Sequence, residues 1–474
     1  MEEYIENQVS KNVIIVGGGV AGIAAGIALS EEGWHVTLLE KRPLLGGRAS
    51  SFTDPATGER LDECQHGTMR CCTNLADLLE RLGVHDKIKY HDRLFFLDKE
   101  GRQSVIEGCG LPAPGHTALS FLAFKSLGVK DKVGIGRAMI AMLRAGKKPE
   151  HEEIAVSDWF VKMGQTGNAV ARFWRPILVS ACNENLDRIS CRHAFKIFCD
   201  GFLSSPTAFH FGIPSLPLGS LYHEPSVKWI EARGGTVRTK TVVERIEIED
   251  GRATGVTLAN GENLKADAVI SALQFDLLLK VLPPEVAAIP LFARLSEIEL
   301  SPIMGVHLWF KERIDAPEAL AILDRRIEWI FNKDKSWNRP PSAGTYLSLV
   351  ISASYPYTGM SKEEILAFVL EEVSACLPQF AGATLLKSQV IRWPKATISP
   401  KPGVDALRPK SKTLIQNFYL AGEWTDTDWP STMEGACRSG YLAAEAVLQD
   451  TGISKSLLAP DLPATGFARF LRKK

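Results

Sequence analysis

The sequence has no excess of charge of either sign, since 55 lysines and arginines balance 55 aspartates and glutamates over 474 residues. A neutral chain has no overall electrostatic attraction to nucleic acid, so we do not expect a nucleic-acid partner. The nine cysteines form an odd number and contain no C-x-x-C pair. This argues against a metal centre or a redox dithiol, and we predict buried free thiols in a reducing cytosol and no metal ligand.

Long apolar runs are also missing. No stretch approaches the length of a membrane-spanning helix, and the N-terminal MEEYIENQVSK lacks the apolar core of a secretory signal. We therefore expect a cytoplasmic protein that at most contacts the inner face of the membrane peripherally. The chain is too long for one hydrophobic core, which predicts two or three domains.

Residues 12–48 carry the most informative pattern in the chain. A short apolar strand is followed by G-x-G-x-x-G at Gly17, Gly19 and Gly22, then by a helix of small residues and a second strand that ends at Glu40. In such a βαβ unit the first glycine permits a tight turn, the second lets the backbone approach a pyrophosphate, and the third allows close packing. The helix N-terminus binds phosphate, and the acid accepts ribose hydroxyls. The sequence therefore predicts a dinucleotide site.

A second βα unit lies near the C-terminus. Residues 417–448 contain a short strand, Gly422 and Glu423 at its end, a loop, and a helix that begins near residues 432–435. Gly440 and its alanine neighbours allow this helix to pack closely. Taken alone, this pattern is equally typical of an unrelated terminal βα unit and of a helix N-terminus that faces a phosphate or a flavin. Together with the N-terminal motif, it predicts the second of these.

Strand and helix patterns divide the rest of the chain. We predict a hairpin at 50–67, a helix at 73–83, strands at 90–106, an apolar helical region at 112–204, a small antiparallel insert at 236–272 and a mixed region at 291–394. The predicted nucleotide-binding domain comprises residues 1–84, 236–290 and 406–450. The predicted substrate domain comprises residues 85–235 and 291–405, and residues 451–474 form a tail.

Two further segments resemble binding elements. The tail ends in an aromatic and basic tip that could touch an anionic membrane surface, although a disordered, solvated tail is the simpler interpretation. That tip comprises Phe467, Arg469, Phe470, Arg472, Lys473 and Lys474. Gly134 and Gly136 follow no apolar strand and precede no acid, so a second nucleotide site for NAD(P)H is not predicted.

Several segments resemble one family. Residues 44–48, LLGGR, resemble the flavin-containing amine oxidase and phytoene desaturase superfamily. Within it the chain is similar to hydroxysqualene dehydroxylases, also called squalene-associated FAD-dependent desaturases. The matching segments are GGRASSFTDPATGERLDECQHG, FWRPILVSACNENLDRISC, PSLPLGSLYHEPSVKWIEARGG, VHLWF and LAGEWTDTDWPSTMEGACRSGYLAAE. Most members read D-x-G-Q-H, whereas Cys64 replaces that glycine here; because cysteine has a φ restriction that glycine lacks, we expect a slightly different loop.

The resemblance implies an α/β fold (α+β overall), in which a Rossmann-like FAD-binding domain carries an inserted mixed, partly helical apolar substrate domain. It implies reduction of hydroxysqualene, a long allylic alcohol, to squalene in hopanoid or related triterpene biosynthesis. A long apolar isoprenoid substrate, functional coupling to prenyl synthases and peripheral membrane contact are further expectations. The implied FAD contacts are Gly17, Gly19, Val20, Ala21, Gly22, Glu40, Lys41, Gly47, Arg48, Val243, Gly422, Glu423, Thr432, Met433 and Glu434.

Asp62 and His66 are the candidate catalytic residues, as an acid relay to the departing hydroxyl. Both follow the Gly-Gly-Arg segment, and histidine titrates in the useful pH range. A turn or capping aspartate and a hydrogen-bonded structural histidine are the alternatives. Phe173, Trp174 and Trp309 could line the cavity, although core packing is the simpler interpretation.

Three other functions were considered. The nearest is a carotenoid-type desaturase that uses the same fold and oxidises a polyene. An amine oxidase or protoporphyrinogen oxidase is a more distant alternative, and Cys437 does not match the position of a covalent flavin link. A non-catalytic FAD-bound scaffold for prenyl synthases belongs to a different class, and an intact flavin motif beside a large apolar domain argues against it.

Overall fold

The computed structural model describes residues 11–55, 58–146 and 148–472; Lys473 and Lys474 of the predicted basic tip lie outside them. The β-strands are β1 Asn12–Val16, β2 His35–Leu39, β3 Ser51–Thr53, β4 Arg60–Asp62, β5 Thr68–Met69, β6 Ile88–His91, β7 Arg93–Leu97, β8 Gln103–Glu107, β9 Phe211–Pro214, β10 Thr236–Arg238, β11 Val243–Glu249, β12 Arg252–Leu258, β13 Asn263–Lys265, β14 Ala268–Ser271, β15 Leu300–Phe310, β16 Ala319–Ile322, β17 Trp329–Asn332, β18 Thr345–Ser352, β19 Leu385–Ile398 and β20 Phe418–Leu420. The α-helices are α1 Val20–Glu31, α2 Thr73–Arg81, α3 Ala118–Leu122, α4 Val129–Ala145, α5 Val156–Lys162, α6 Gly167–Ala169, α7 Arg175–Cys182, α8 Cys191–Phe198, α9 Leu218–Glu231, α10 Phe275–Val281, α11 Pro284–Ala287, α12 Pro290–Ala293, α13 Lys333–Ser336, α14 Lys362–Cys376, α15 Met433–Asp450 and α16 Ala468–Leu471.

A five-stranded parallel sheet, in the order β10–β2–β1–β14–β20, organises the nucleotide-binding part. β1 is buried on both faces after its first residue, which explains its continuous apolar sequence. In the register, Val16 lies beside both Leu39 and Ser271. Three strands therefore end at one edge, where ligands bind in open α/β sheets.

Helices α1 and α15 pack against each other beside this sheet. A Cβ atom on Gly440 would lie 2.2 Å from the carbonyl oxygen of Ala21, so only glycine permits this approach. The close packing predicted for Gly440 is confirmed.

The antiparallel insert is confirmed as a separate three-stranded sheet, β11–β12–β13. Its turns use positive backbone φ angles at Asp250, Gly251 and Gly261, which is what the Asp-Gly and Asn-Gly pairs predict. The hairpin and the helix predicted downstream of residue 48 are also present, as β3–β4 and α2.

A seven-stranded sheet, in the order β19–β15–β18–β17–β16–β7–β8, forms most of the second part. Its neighbours are antiparallel except for the parallel pair β16–β7. Helix α14 packs its apolar residues on one face of the sheet. The other face approaches the hairpin end, because a Cβ on Gly305 would lie 3.2 Å from the carbonyl oxygen of Glu63.

The apolar region before residue 204 is helical, as predicted, and includes two π-helical segments, Val170–Trp174 and Cys199–Leu203. Trp174 and Phe198 are fully buried and pack edge to face, 4.7 Å between ring centroids. Phe173 belongs to the same buried cluster. These aromatic residues pack in a helical core, as the simpler interpretation held.

The prediction of a disordered C-terminal tail is wrong for the described residues. The amide of Ala459 donates to Asn74 Oδ1 (2.9 Å), and the amide of Thr465 donates to the carbonyl of Ser204 (2.8 Å). Helix α16 then packs against α4. Tertiary contacts thus order a segment whose composition resembles a loop. Among the described residues, no helix combines the length and apolar character that spanning a bilayer requires.

Candidate functional site

The glycine-rich turn after β1 has the backbone geometry that a dinucleotide requires. Gly17 has a φ of +111°, and a Cβ on Gly22 would lie 1.9 Å from the carbonyl oxygen of Gly17. Helix α1 begins after Gly19 with no side-chain cap and no acidic residue in its first turn. Its first amide groups, including those of Val20 and Ala21, are therefore left for a phosphate, as the helix dipole favours.

The Gly-Gly-Arg turn lies directly against this phosphate turn. Gly19 and Gly46 form an isolated parallel bridge, and the amide of Gly46 donates to the carbonyl of Gly18 (2.8 Å). Gly47 has a φ of +62°, and a Cβ on it would lie 2.9 Å from the Cα of Gly19. The two glycine-rich turns thus form one cradle that side chains would fill, and this cradle fits the pyrophosphate of FAD.

Glu40 is buried at the end of β2, where the acidic residue was predicted. Its carboxylate accepts hydrogen bonds from the amides of Gly18 and Arg42, both at 2.8 Å. Its carbonyl accepts from the amide of Thr241 (2.9 Å), which brings the start of β11 at Val243 to the same edge. The carboxylate oxygens keep lone pairs for ribose hydroxyls.

Of the two basic residues that follow Glu40, Lys41 faces solvent and Arg42 contacts the Gly-Gly-Arg turn. Lys41 is exposed, and within the described part of the chain its side chain makes no hydrogen bond. Arg42 instead donates to the carbonyl of Gly47 (2.9 Å) and pairs with Glu63. Arg42 therefore ties the Gly-Gly-Arg turn to the hairpin end, a role that the sequence analysis missed.

Arg48 connects the N-terminal and C-terminal motifs. Its Nη2 lies 2.5 Å from Oε2 of Glu423, and its Nη1 donates to the carbonyl of Ala396. Oε1 of Glu423 is buried and has no hydrogen-bond partner among the described residues. Such an orphaned acceptor requires a donor from a ligand or water, and a ribityl hydroxyl of FAD would supply one.

A buried arginine holds the loop that follows Gly422. Arg408 donates to the carbonyls of Glu423 (3.0 Å) and Thr425 (2.7 Å) and pairs with Asp405. Gly422 itself has a φ of +140°, and a Cβ there would lie 2.4 Å from the indole nitrogen of Trp424. Arg408 was not predicted from the sequence, because no local pattern marks its backbone partners.

Helix α15 begins at this loop. Thr432 caps it by accepting a hydrogen bond from the amide of Gly435 (3.2 Å), and the sulfur of Met433 accepts from the hydroxyl of Tyr222 (3.5 Å). The carboxylate of Glu434 turns away and accepts from the amide of Leu75 (2.8 Å) at the start of α2. Any FAD contact of Glu434 would therefore come from its backbone.

Cys437, one turn further along α15, also faces α2. Its thiol donates to the carbonyl of Asn74 at 3.1 Å, and burial raises its pKa well above the usual range. This neutral, hydrogen-bonded thiol fits the expectation that Cys437 is not a covalent flavin link.

Asp62 lies in a buried polar cluster. Its Oδ1 accepts from the hydroxyl of Ser51 and the amide of Leu218, both at 2.8 Å, and its Oδ2 lies 3.1 Å from Nζ of Lys333. Both members of the ion pair are almost completely buried. Burial lowers the pKa of Lys333, while Asp62 opposes that shift. These contacts support a structural role for Asp62 rather than an acid relay.

His66 is half-buried at the end of the same hairpin loop. Its Nδ1 lies 3.1 Å from the carbonyl oxygen of Cys64, so the Nδ1–H donates and Nε2 remains an acceptor. Burial lowers the pKa of His66 below its usual value, while the Cys64 carbonyl opposes the shift. The imidazole is therefore neutral at pH 7 and suits a base better than an acid.

An aromatic wall leads away from this loop. The rings of Phe211 and Trp329, and those of Trp329 and Phe331, are stacked with 5.6 Å between centroids. Phe331 packs in one cluster with Cys64. At its other end the wall borders a cavity of about 340 Å³ lined by His91, Arg93, Leu94, Phe95, Gln103, Phe211, Pro317, Glu318, Ala319, Trp329 and Lys335. Trp309 is elsewhere, stacked on Tyr346.

Comparison with known proteins identifies the family. The profile described as flavin containing amine oxidoreductase matches residues 20–448. The chain belongs to this family. FAD is its cofactor, and the chain is an FAD-dependent oxidoreductase with the mixed α/β fold that the sequence predicted.

The chain is similar to 15-cis-phytoene desaturase of Solanum lycopersicum, with 28% identity over 92% of this chain and 78% of the relative. It is 27% identical to the zeta-carotene desaturase of Synechocystis, over 92% of this chain and 97% of the relative. Among solved structures, a triple mutant of putrescine oxidase made to redesign cofactor binding superposes with a TM-score of 0.72 at 16% identity, over 93% of this chain and 99% of that one. These two relatives are a phytoene desaturase and a zeta-carotene desaturase, so the predicted hydroxysqualene dehydroxylase family is not confirmed.

Proposed function

We propose that this protein is an FAD-dependent desaturase of a long, apolar isoprenoid polyene. The similarity to phytoene and zeta-carotene desaturases extends over more than nine tenths of the chain and supports this function over the dehydroxylase. The observation that carries the proposal is the aromatic wall, because its stacked rings run from the loop beside the cofactor cradle to the border of a cavity.

The cofactor contacts stay a proposal as well. We propose that the turns at Gly17–Gly22 and Gly46–Arg48 hold the pyrophosphate and that Glu40 holds the ribose. Glu423 and the N-terminus of α15 would hold the ribityl chain and flavin, since their free acceptor and amide groups lie at the same edge of the sheet. Residues 1–84, 236–290 and 406–450 would then form the FAD domain.

When bound, FAD would accept a hydride from a C–H bond of the substrate, while the neighbouring carbon loses a proton and a C=C bond forms between the two carbons. The protein must then exclude water, hold the polyene straight and take that proton. Phe211, Trp329 and Phe331 present flat apolar faces that suit a conjugated chain. Nε2 of neutral His66 is our candidate proton acceptor, because the single proton of the neutral ring is on Nδ1, which donates to the carbonyl of Cys64.

A second candidate function is reduction of hydroxysqualene to squalene. The segments that the chain shares with hydroxysqualene dehydroxylases, above all LAGEWTDTDWPSTMEGACRSGYLAAE, favour it. That reaction needs an acid for the departing hydroxyl, and the lowered pKa of His66 works against such a role. Coupling to prenyl synthases is a prediction of this second function only.

An anaerobic experiment separates the two functions. Oxidised, FAD-loaded protein is mixed with detergent-dispersed phytoene or zeta-carotene, and photoreduced protein is mixed with hydroxysqualene. Desaturation predicts flavin bleaching and a longer polyene chromophore in the first mixture and no flavin change in the second. Reoxidation of the flavin with formation of squalene in the second mixture, without bleaching in the first, would overturn the proposal and establish the dehydroxylase.

A further inference from the structure

Helix α8 is amphipathic, and its two faces contact different parts of the molecule. Its apolar side chains, including Ala194, Phe195 and Phe198, follow the helical period and are buried in the core of the helical region. Phe211 and Trp329 of the aromatic wall pack against the same core. One face of α8 therefore belongs to the core that supports the aromatic wall.

The opposite face of α8 carries basic side chains, and these contact the loop between β20 and α15. We call this loop, residues 421–432, the flavin loop, because it leads from Glu423 to the N-terminus of α15. Nη2 of Arg192 lies 3.1 Å from Oδ1 of Asp428, and Nζ of Lys196 lies 3.6 Å from Oδ2 of the same carboxylate. Each carboxylate oxygen of Asp428 thus faces a cation from α8.

The backbone of the flavin loop has an unusual conformation at this contact. Asp428 has a φ of +60°, in the left-handed region that few residues other than glycine, asparagine and aspartate adopt. The next residue, Trp429, is buried, and Nζ of Lys196 lies 4.8 Å from its ring centroid. Its ring packs in one cluster with Cys71, on the segment that follows the His66 loop. Strained backbone persists only where surrounding contacts hold it, and α8 supplies those contacts here.

A second set of contacts joins α8 to the same loop through Asp405. Oδ2 of Asp405 lies 3.6 Å from Nε of Arg192 and 3.3 Å from Nε2 of His193. Its Oδ1 accepts from Nη1 of Arg408 (3.0 Å), and Arg408 donates to backbone carbonyls at the start of the flavin loop. Two routes thus begin at Arg192 and end in the flavin loop, and such a charge network constrains a loop more than one exposed pair does.

We infer that Arg192 and Lys196 are positioning residues for the flavin, which they orient by fixing the flavin loop from helix α8. This inference rests on the proposed cofactor contacts of Glu423 and the N-terminus of α15. It extends them, because it assigns the orientation of the flavin to side chains of the helical region. Since the apolar face of the same helix packs in the core that supports the aromatic wall, a ligand that displaces this core would also displace the flavin loop.

Visible circular dichroism of the bound flavin tests the positioning without any substrate. Arg192→Met removes the cation that is common to both routes. At saturating FAD we expect a changed flavin spectrum, and in titrations an FAD dissociation constant roughly ten-fold higher than in wild type. Arg192→Lys keeps the charge and should recover most of both properties. A wild-type spectrum together with wild-type affinity in Arg192→Met would overturn the inference.

Asp428→Asn tests whether Arg192 acts through the flavin loop. Asparagine tolerates the same positive φ, so this variant removes the charge and keeps the backbone conformation. Asp428→Asn should change the flavin spectrum in the same direction as Arg192→Met. In the double variant Arg192→Met/Asp428→Asn, the loss of FAD affinity should be smaller than the sum of the two single losses. Additive losses would overturn the inference, because the two residues would then act independently.

Arg172 provides a matched control in the same helical region. Its Nη2 lies 2.7 Å from Oδ2 of Asp324, which is also an aspartate with a positive φ, +61°. Asp324 lies between β16 and β17, outside the flavin loop. Arg172→Met should therefore lower the free energy of unfolding at least as much as Arg192→Met, while the flavin spectrum and FAD affinity stay at wild-type values. An equal flavin effect in this control would assign the result to general loosening of the helical region and overturn the inference.

The coupling of the aromatic wall to the flavin has its own readout and rests on the proposed function. Squalane, a colourless saturated isoprenoid hydrocarbon, has no allylic C–H bond to oxidise. It should change the flavin dichroism of wild type, and this change should fall to less than about half in Arg192→Met. No change in a wild-type protein that desaturates a polyene would overturn the coupling and leave the proposed function intact. No desaturation, with the effects of Arg192→Met still present, would count against the proposed function and leave the positioning role intact.

Discussion

The guanidinium of Arg48 and the carboxylate of Glu423 form an ion pair, with 2.5 Å between Nη2 and Oε2. One residue ends the Gly-Gly-Arg turn that follows β2, and the other ends the Gly-Glu turn that follows β20. Glu423 is buried, so the pair lies in surroundings that screen it little. This contact fixes the distance between the two turns that the sequence assigns to FAD.

Removing Arg48 should weaken FAD binding. In Arg48→Met the buried carboxylate of Glu423 loses its cation, which costs about 2–4 kcal/mol and distorts the turn. We expect FAD affinity to fall at least ten-fold by fluorescence titration, with partial recovery in Arg48→Met/Glu423→Gln. Arg60→Met, which breaks an exposed pair with Glu224, is the control and should retain wild-type affinity. Equal affinity in all variants would show that the pair does not position the cofactor.

The glycine-rich turn at Gly17–Gly22 gives a prediction that depends only on the steric room for an added Cβ atom. A Cβ on Gly22 would lie 1.9 Å from the carbonyl oxygen of Gly17, and backbone cannot move aside cheaply. Gly22→Ala should therefore yield protein without bound FAD. In Gly26→Ala, in the same helix, the added Cβ meets only the flexible side-chain ends of Ile230, Ile15 and Leu38, at 3.3 to 3.6 Å, and this variant should bind FAD normally. The flavin absorbance of the purified variants measures their bound FAD, and a wild-type FAD content in Gly22→Ala would contradict the prediction.

Local sequence patterns predicted the elements and the cradle, but not the contacts that cross the chain. The Gly17–Gly22 spacing and the apolar period of α2 arise within short windows, where steric and burial rules act directly. Lys333 pairs with Asp62, 271 residues away, and no local rule marks a lysine that will be buried; Arg408 donates to backbone carbonyls of an irregular loop, which no side-chain pattern marks. The prediction of a disordered tail fails for the same reason, because the tail is held by hydrogen bonds to Asn74 and Ser204, which are distant in sequence. The domain limits and the individual FAD contacts stay predictions.

His66 should control the pH dependence of the reaction. Because burial lowers its pKa, the basic form persists below pH 6.5, so kcat/KM should stay flat from alkaline to neutral pH and fall only in acid. His66→Gln should lower kcat about 10²-fold at unchanged FAD content and remove the acid limb. His85→Gln, at the surface, serves as the control. Activity that instead rises in acid would indicate an acid role and favour dehydroxylation.

The buried pair of Lys333 and Asp62 should be important for stability. Lys333→Met leaves an aspartate buried without its cation, which costs about 3–5 kcal/mol in the free energy of unfolding. Asp62→Asn/Lys333→Met removes both charges and should recover most of that loss. Lys395→Met breaks an exposed pair with Asp276 and should cost less than about 1 kcal/mol. Urea unfolding of the three variants measures these differences, and a double variant as unstable as the single one would contradict the argument.

Glu328 should make the free energy of unfolding fall as pH rises, which is opposite to the trend in ordinary acid denaturation. Its carboxyl is buried before β17, accepts from the amide of Ser352 (2.9 Å) and lies 3.7 Å from Arg175, and burial raises its pKa to about 7. Between the unfolded value and pH 7 the folded state holds a proton that the unfolded state has lost. This contribution to stability is complete at acid pH and disappears as pH rises through 7.

Replacing that carboxyl with an amide should remove the effect. Glu328→Gln keeps an acceptor for Ser352 and cannot ionise, so its free energy of unfolding should fall less than that of wild type between pH 5.5 and 8.5, by about 2 kcal/mol. Glu371→Gln, exposed in its pair with Arg326, should follow the wild-type slope. Urea titrations of the FAD-saturated proteins at both pH values measure the slopes. Parallel slopes for wild type and Glu328→Gln would mean that Glu328 is already ionised at acid pH, because Arg175 then outweighs the cost of burial.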